Sequence, residues 1–198
     1  MKRTAKIITA SDLPSSAEFE EELERVRYRR SFAFAMRSTI YTLITVAAVA
    51  VLVAVLVLPV LRIYGESMAP TLSEGQLVLS VKGGRFQPGD VVAFYYNNKI
   101  LVKRVIARPG EWVNLNEAGD VFVNGVPLEE PYLQSKAFGT CDIELPFQVP
   151  EGMLFVMGDH RDVSVDSRSS IVGCVAEEQI VGKIFFRFWP LEDLGPLR

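Results

Sequence analysis

Three stretches of this chain gather side chains that could do chemistry. Gly65-Glu66-Ser67-Met68-Ala69-Pro70-Thr71-Leu72 holds a serine, and Lys103 stands inside the apolar run Leu101-Val102-Lys103-Arg104-Val105-Ile106-Ala107. Met157-Gly158-Asp159-His160-Arg161-Asp162-Val163-Ser164-Val165-Asp166-Ser167-Arg168 packs hydroxyls, carboxylates and guanidinium groups into one short run. A serine hydroxyl attacks a carbonyl only when a neighbouring base takes its proton; alone, Ser67 reads equally as a turn or cap residue. Lysine is a base only when neutral. At a reference pKa of about 10.4 the amine is unprotonated about one time in a thousand near pH 7.4, and burial lowers that pKa because desolvation disfavours the ammonium. The other reading of Lys103 is a snorkelling or ion-paired side chain whose charge stays in water. Strand alternation puts Lys103 on a face with Leu101, Val105 and Ala107, and Arg104 on the opposite one; both faces are partly apolar, so either could be the buried one.

Composition removes several alternatives. A net charge of -3 with mixed signs throughout offers no basic stripe for phosphates, so no nucleic-acid partner is expected. Cys141, Cys174 and the single His160 fit no common metal-ligand spacing, and neither metal nor cofactor is expected. The two thiols read as structural or incidental, a disulfide between them being the lesser alternative for a domain facing an oxidising exterior.

These residues need elements to hold them. Residues 38–61 form an uncharged apolar run between Arg37 and Arg62. About 24 residues at about 1.5 Å each give roughly 36 Å of helix, enough to cross a lipid bilayer. Lys2, Arg3, Lys6, Arg25, Arg27, Arg29, Arg30 and Arg37 precede the span while Arg62 stands nearly alone after it, which predicts a cytoplasmic N-terminus and an uncleaved anchor. Met1 to Ser16 read as a polar tail, and Ser15-Ser16-Ala17-Glu18 as a capping box opening a juxtamembrane helix to about Arg30. Beyond the span, β-branched and aromatic runs at 76–81, 91–96, 100–107, 112–115, 121–123, 153–157 and 181–189 predict strands. Asn97-Asn98 and Asn124-Gly125 predict tight hairpin turns, and Phe86-Gln87-Pro88-Gly89-Asp90 another turn. The fold class expected is mainly β, an antiparallel sheet or partly closed barrel after one transmembrane helix. The domains are a cytoplasmic tail and helix over 1–37, an anchor over 38–61 and an extracytoplasmic domain over 62–198. Residues 116–149, rich in proline, read as an excursion from the sheet, and the aromatic run Phe185-Phe186-Arg187-Phe188-Trp189-Pro190 as either core or membrane-interface residues.

The anchor, the Ser67 segment, Lys103-Arg104-Val105-Ile106-Ala107-Arg108-Pro109-Gly110-Glu111 and the Gly158 to Arg168 run, in this order, resemble a bacterial type I signal peptidase over most of the chain. The resemblance implies a serine endopeptidase of the cell membrane in which Ser67 is the nucleophile, neutral Lys103 the general base and Ser164 a hydroxyl that orients the lysine amine. It implies a loop scaffold of Asp159, Arg161, Asp166 and Arg168, with Asp166 and Arg168 ion-paired. It also implies preprotein substrates that emerge from a secretion translocon and are cut after Ala-X-Ala-like sites, the peptide lying as an added strand beside the sheet. Candidate walls for the small-residue pockets are Met68, Leu72, Val78, Leu79, Phe94 and Leu101, each of which could equally be core. Two positions depart from the family pattern. Some members carry a serine hydroxyl for the oxyanion where this chain has Gly65, which leaves the Ser67 N–H and an unassigned donor. Many have asparagine where this chain has His160.

Three other classes compete. A Ser-His-Asp hydrolase would use His160. A noncatalytic membrane-tethered β domain would use Lys103 and the Asp/Arg loop only for stability. A self-cleaving protease of the SOS-repressor type shares the Ser/Lys logic, but would carry a DNA-binding domain in place of the apolar span.

Overall fold

The computed structural model describes residues 15–197, which fall into two units divided between Val53 and Ala54. The polar tail, with Lys2, Arg3 and Lys6, lies outside the described residues up to Pro14. Helix α1 (Ser16–Val57) opens on the expected capping box. The Ser15 N–H donates to Glu18 Oε2 at 2.8 Å, and the Glu18 N–H returns to Ser15 Oγ at 3.4 Å. These bonds with Ser15 hold the Glu18 carboxyl below its usual range. The helix does not stop near Arg30 but runs on without a break, because no glycine or proline interrupts residues 16–57. It is long and apolar enough to cross a membrane. It ends earlier than the apolar run does, since Pro59 lacks an N–H and pushes the preceding residue out of the helical region. Val60 and Leu61, expected within the anchor, are therefore strand residues.

The second unit is mainly β, in antiparallel pairings as the sequence predicts. Its strands are β1 (Val60–Arg62), β2 (Leu77–Val81), β3 (Val91–Tyr96), β4 (Lys99–Ala107), β5 (Trp112–Leu115) and β6 (Val121–Val123). They continue as β7 (Val126–Pro127), β8 (Phe147–Gln148), β9 (Met153–Met157), β10 (Val175–Ala176), β11 (Ile180–Trp189) and β12 (Gly195–Pro196). One sheet runs β1-β2-β11-β3-β4-β9-β10, with β12 on β11; a second runs β7-β6-β5-β8. The large sheet stays open, with β1 and β10 as its edges. Asn97 and Asn98 take φ of 44° and 62°, the left-handed pair that a two-residue turn between β3 and β4 requires.

Apolar alternation builds the core in three clusters. Ile63, Met68, Leu72, Val78, Val91, Ala93 and Ile184 form one. Val92, Phe94, Val105, Leu154, Val156 and Val175 form another, and Ile106, Phe155 and Met157 join the third with β5 and β6. From Lys103 onward β4 is buried on both faces, so the choice of face left open by the sequence does not arise: Lys103 and Arg104 are 3% and 2% exposed.

Candidate active site

The Ser67 segment is a turn between β1 and β2 pinned by its apolar residues. Met68 and Leu72 sit one helical turn apart, the Leu72 N–H donating to the Met68 carbonyl at 2.9 Å, and both side chains sink into the core. Ser67 is left half-buried at the rim. Gly65 enters the turn at φ +77°, a backbone conformation that would strain a serine, so the departure from the family pattern has a local cause in this chain. The Ser67 carbonyl accepts the His160 N–H at 3.1 Å, which ties the turn to the loop after β9.

Lys103 reaches the same place from β4. In the β4–β9 ladder Arg104 pairs with Met157, so Lys103 stands one residue before that pairing begins, and Asp166, Asp159 and Arg168 of the loop after β9 act on its charge. A Cβ on Gly158 would strike both the Ser67 carbonyl and Ser164 Oγ. Glycine is thus what allows the turn and the loop to meet here. Lys103 shares its face with Leu101 and Val105, which pack among Val92, Phe94 and Val156. Burial lowers its pKa from 10.5 to about 8; Asp166 and Asp159 oppose the shift and Arg168 adds to it. Among the described residues no ion pair includes Lys103. Ser164 Oγ is buried and has no hydrogen-bond partner among the described residues.

Paired charges fix the loop. Arg168 grips Asp166 through Nε and Nη2, each bond 2.9 Å. Burial alone would raise the Asp166 pKa, but that guanidinium and the Gly158 N–H, 2.9 Å from Oδ2, hold it below the usual carboxylate range. Arg104, on the strand face opposite to Lys103, binds Asp159 at 2.9 and 2.6 Å, and the Thr71 hydroxyl donates to the same carboxylate at 2.5 Å. Arg161 donates to the Gly158 carbonyl at 3.0 Å and pairs with Glu130. His160 Nε2 lies 3.2 Å from the exposed Asp162 carboxylate, and Nδ1 is buried without a partner among the described residues.

A groove of about 490 Å³ adjoins Ser67, walled by Val60–Tyr64 on one side and Lys99–Val102 on the other. Both walls have unpaired strand edges: β1 is bonded only to β2, and β4 meets β9 only from Arg104 onward. Of the expected pocket residues, Met68 and Leu101 line this groove. The others are corrected. Leu72, Val78 and Phe94 are closed inside the core clusters, and Leu79, half-buried on β2, is not a wall residue. Ile63, Tyr64, Ile100 and Val102 line the groove and were missed, since an apolar residue beside a cavity carries the same sequence signal as one in the core. Glu130 and Tyr132 were missed because they lie in the stretch that reads as an excursion. Among the described residues no three His, Cys, Asp or Glu side chains gather as a metal centre would need, and Cys141 and Cys174 are both free thiols.

Residues 36–189 match the family model described as signal peptidase, peptidase S26. Signal peptidase IB of Staphylococcus aureus is 40% identical over 151 residues, covering 66% of this chain and 78% of that protein. Signal peptidase I of Bacillus amyloliquefaciens is 37% identical over 143 residues, 66% of this chain and 73% of that protein. A crystal structure of a signal peptidase I from Enterococcus faecalis V583, 32% identical, covers 50% of this chain and 97% of its own with a TM-score of 0.42.

Proposed function

The chain belongs to the signal peptidase family S26, and from that premise we propose that it removes signal peptides from secreted preproteins, with Ser67 as nucleophile and neutral Lys103 as general base. The observation that carries this is Lys103, 3% exposed and in no ion pair among the described residues, on the strand that walls the groove adjoining Ser67. Lys103 Nζ takes the proton of Ser67 Oγ as that oxygen bonds to the scissile carbonyl carbon, and the resulting ammonium gives the proton to the leaving amine as the C–N bond breaks. The acyl ester on Ser67 is then hydrolysed by a water that Lys103 deprotonates, which returns the free serine. The Ser67 N–H, which has no backbone acceptor among the described hydrogen bonds, supports the oxyanion. Ser164 Oγ holds the amine in line. The substrate lies extended in the groove, where the unpaired edges of β1 and β4 offer main-chain partners.

Helix α1 is the membrane anchor. Its N-terminal half carries Arg25, Arg27, Arg29, Arg30 and Arg37, which favours a cytoplasmic start and a catalytic domain on the outer face. Cleavage of one labelled preprotein by the full chain in detergent micelles tests the assignment. Ser67→Ala and Lys103→Ala should each abolish cleavage with the fold intact. The His160–Asp162 pair favours one competing reading, a Ser-His-Asp hydrolase; cleavage kept by Lys103→Ala and lost in His160→Ala would establish that one instead.

A further inference from the structure

The segment between β7 and β8 reads in sequence as an excursion, yet all three buried arginines of the site end on it. Arg104, bound to Asp159, lies under the Tyr132 ring with its guanidinium carbon 3.8 Å from the ring centroid. Arg161, bound to the Gly158 carbonyl, pairs with Glu130 through both terminal nitrogens. Arg168, bound to Asp166, also donates to the Phe138 carbonyl at 2.7 Å. Each guanidinium therefore has at least one partner at the catalytic loop and at least one on this strap. Glu130 is its one charged contributor to these pairs, 8% exposed, and the Tyr132 hydroxyl donates to Glu130 Oε1 at 2.9 Å. Glu130 and Tyr132 thus form a joined pair that reaches two arginines at once.

We propose that Glu130 and Tyr132 are positioning residues for the peptidase reaction, holding Gly158 and Asp159 through Arg161 and Arg104 so that Ser67, Lys103 and Ser164 stay in register. The proposal rests on the Ser/Lys reading above. Neither side chain is among the groove walls, so the pair acts on turnover and not on substrate affinity. The strap also explains why a buried carboxylate stands in an otherwise polar connection: Glu130 neutralises a guanidinium that would otherwise be buried with only a carbonyl partner.

The test uses the full chain in detergent micelles with a labelled preprotein, measuring kcat, KM and thermal melting for E130Q, Y132F, R161Q and the E130Q/R161Q double variant. E130Q removes the charge and keeps the shape. Its kcat should fall by about tenfold to a hundredfold with KM within about twofold, because a small misplacement of reacting groups costs rate before binding. Y132F keeps the ring over Arg104, removes only the hydroxyl bond, and should lose about threefold in kcat. The double variant should be no slower than the worse single one, since both substitutions break the same link. A parental kcat for E130Q at a temperature well below its melt overturns the proposal, as do additive losses in the double variant. If E130Q does not fold, Y132F decides: a parental kcat there overturns it, a reduced kcat at unchanged KM supports it. Ser67-dependent cleavage by the parent together with a parental E130Q rate sinks this inference alone. Absence of Ser67-dependent cleavage in the parent sinks the peptidase reading and this one with it.

Discussion

Raising the pH from 6 to 10 should report the ionisation of one amine twice, once in rate and once in stability. Burial brings the Lys103 pKa from 10.5 down to about 8, against the pull of Asp166 and Asp159. On the proposed mechanism the neutral amine is the working form, so kcat/KM should climb about tenfold per pH unit below 8 and level off above it. About one amine in a hundred is neutral at pH 6 and about half at pH 8, a ratio of about fifty. The stability term follows from proton counting. The unfolded chain keeps the lysine proton to about pH 10.4, whereas the folded chain gives it up near 8, so the unfolded state binds more protons between those values and stability rises with pH across that window. The full rise is about 3 kcal/mol, at about 1.4 kcal/mol per pKa unit. Lys103→Met should lose this rise and be the more stable protein at pH 7, where the parent buries an ammonium. Cys174 titrates in the opposite sense, its thiol pushed up by burial to about 11, but it is unchanged in Lys103→Met and cancels in the comparison. The assays are a pH–rate profile on a preprotein peptide and urea denaturation of both chains in micelles at pH 7, 8, 9 and 10. An acid limb centred above pH 10, or parallel stability curves for the two proteins, would falsify the claim that a desolvated amine is the base.

Two further substitutions separate the junction from the groove. Gly158→Ala should lower kcat at least a hundredfold, because its Cβ needs the space taken by the Ser67 carbonyl and Ser164 Oγ, while the cost to stability stays near 1–3 kcal/mol; a Gly158→Ala enzyme of parental rate would mean that the three groups do not meet there. Leu101→Trp, on the groove wall, should raise KM about tenfold with little change in stability, whereas Leu72→Ala, in the core, should cost about 2–5 kcal/mol and leave KM alone. Steady-state kinetics and denaturation on both proteins check the pair, and a reversed pattern would move the groove.

Long strands with β-branched or aromatic runs were legible: β3, β5, β6 and β9 match their expected bounds, and β2, β4 and β11 differ by a single residue at one end. The Asn97-Asn98 turn was legible because only a few residue types accept its backbone angles. Strands β7, β8, β10 and β12 were not, since two residues give no alternation to count, and β1 was hidden at the end of the apolar run read as the span. The chemistry of their residue types singled out Ser67 and Lys103 as candidates, and the family resemblance of the ordered motifs added Ser164. The walls of the groove escaped because being apolar does not distinguish a cavity lining from a core position: Leu72 and Leu101 look alike until the fold turns one inward. Glu130 escaped for a different reason. Its partner is 31 residues away, and nothing in a single sequence marks which exposed-looking carboxylate will be closed over an arginine.

The pairing of the other buried charges bears directly on the lysine. Arg104, Arg161 and Arg168 are matched by Asp159, Glu130 and Asp166, every one of them buried. An unmatched carboxylate beside Lys103 would favour the ammonium, the form that the proposed mechanism cannot use. An unmatched guanidinium would favour the neutral amine but would itself carry a large desolvation cost to the fold. With each guanidinium closed on a carboxylate, opposing fields largely offset one another, and the exclusion of water becomes the dominant influence on the Lys103 amine. The dense arginine–carboxylate framework therefore does two jobs with one set of contacts: it fixes the loop that carries Ser164, and it leaves the site close enough to electrically neutral for burial to set the pKa of Lys103.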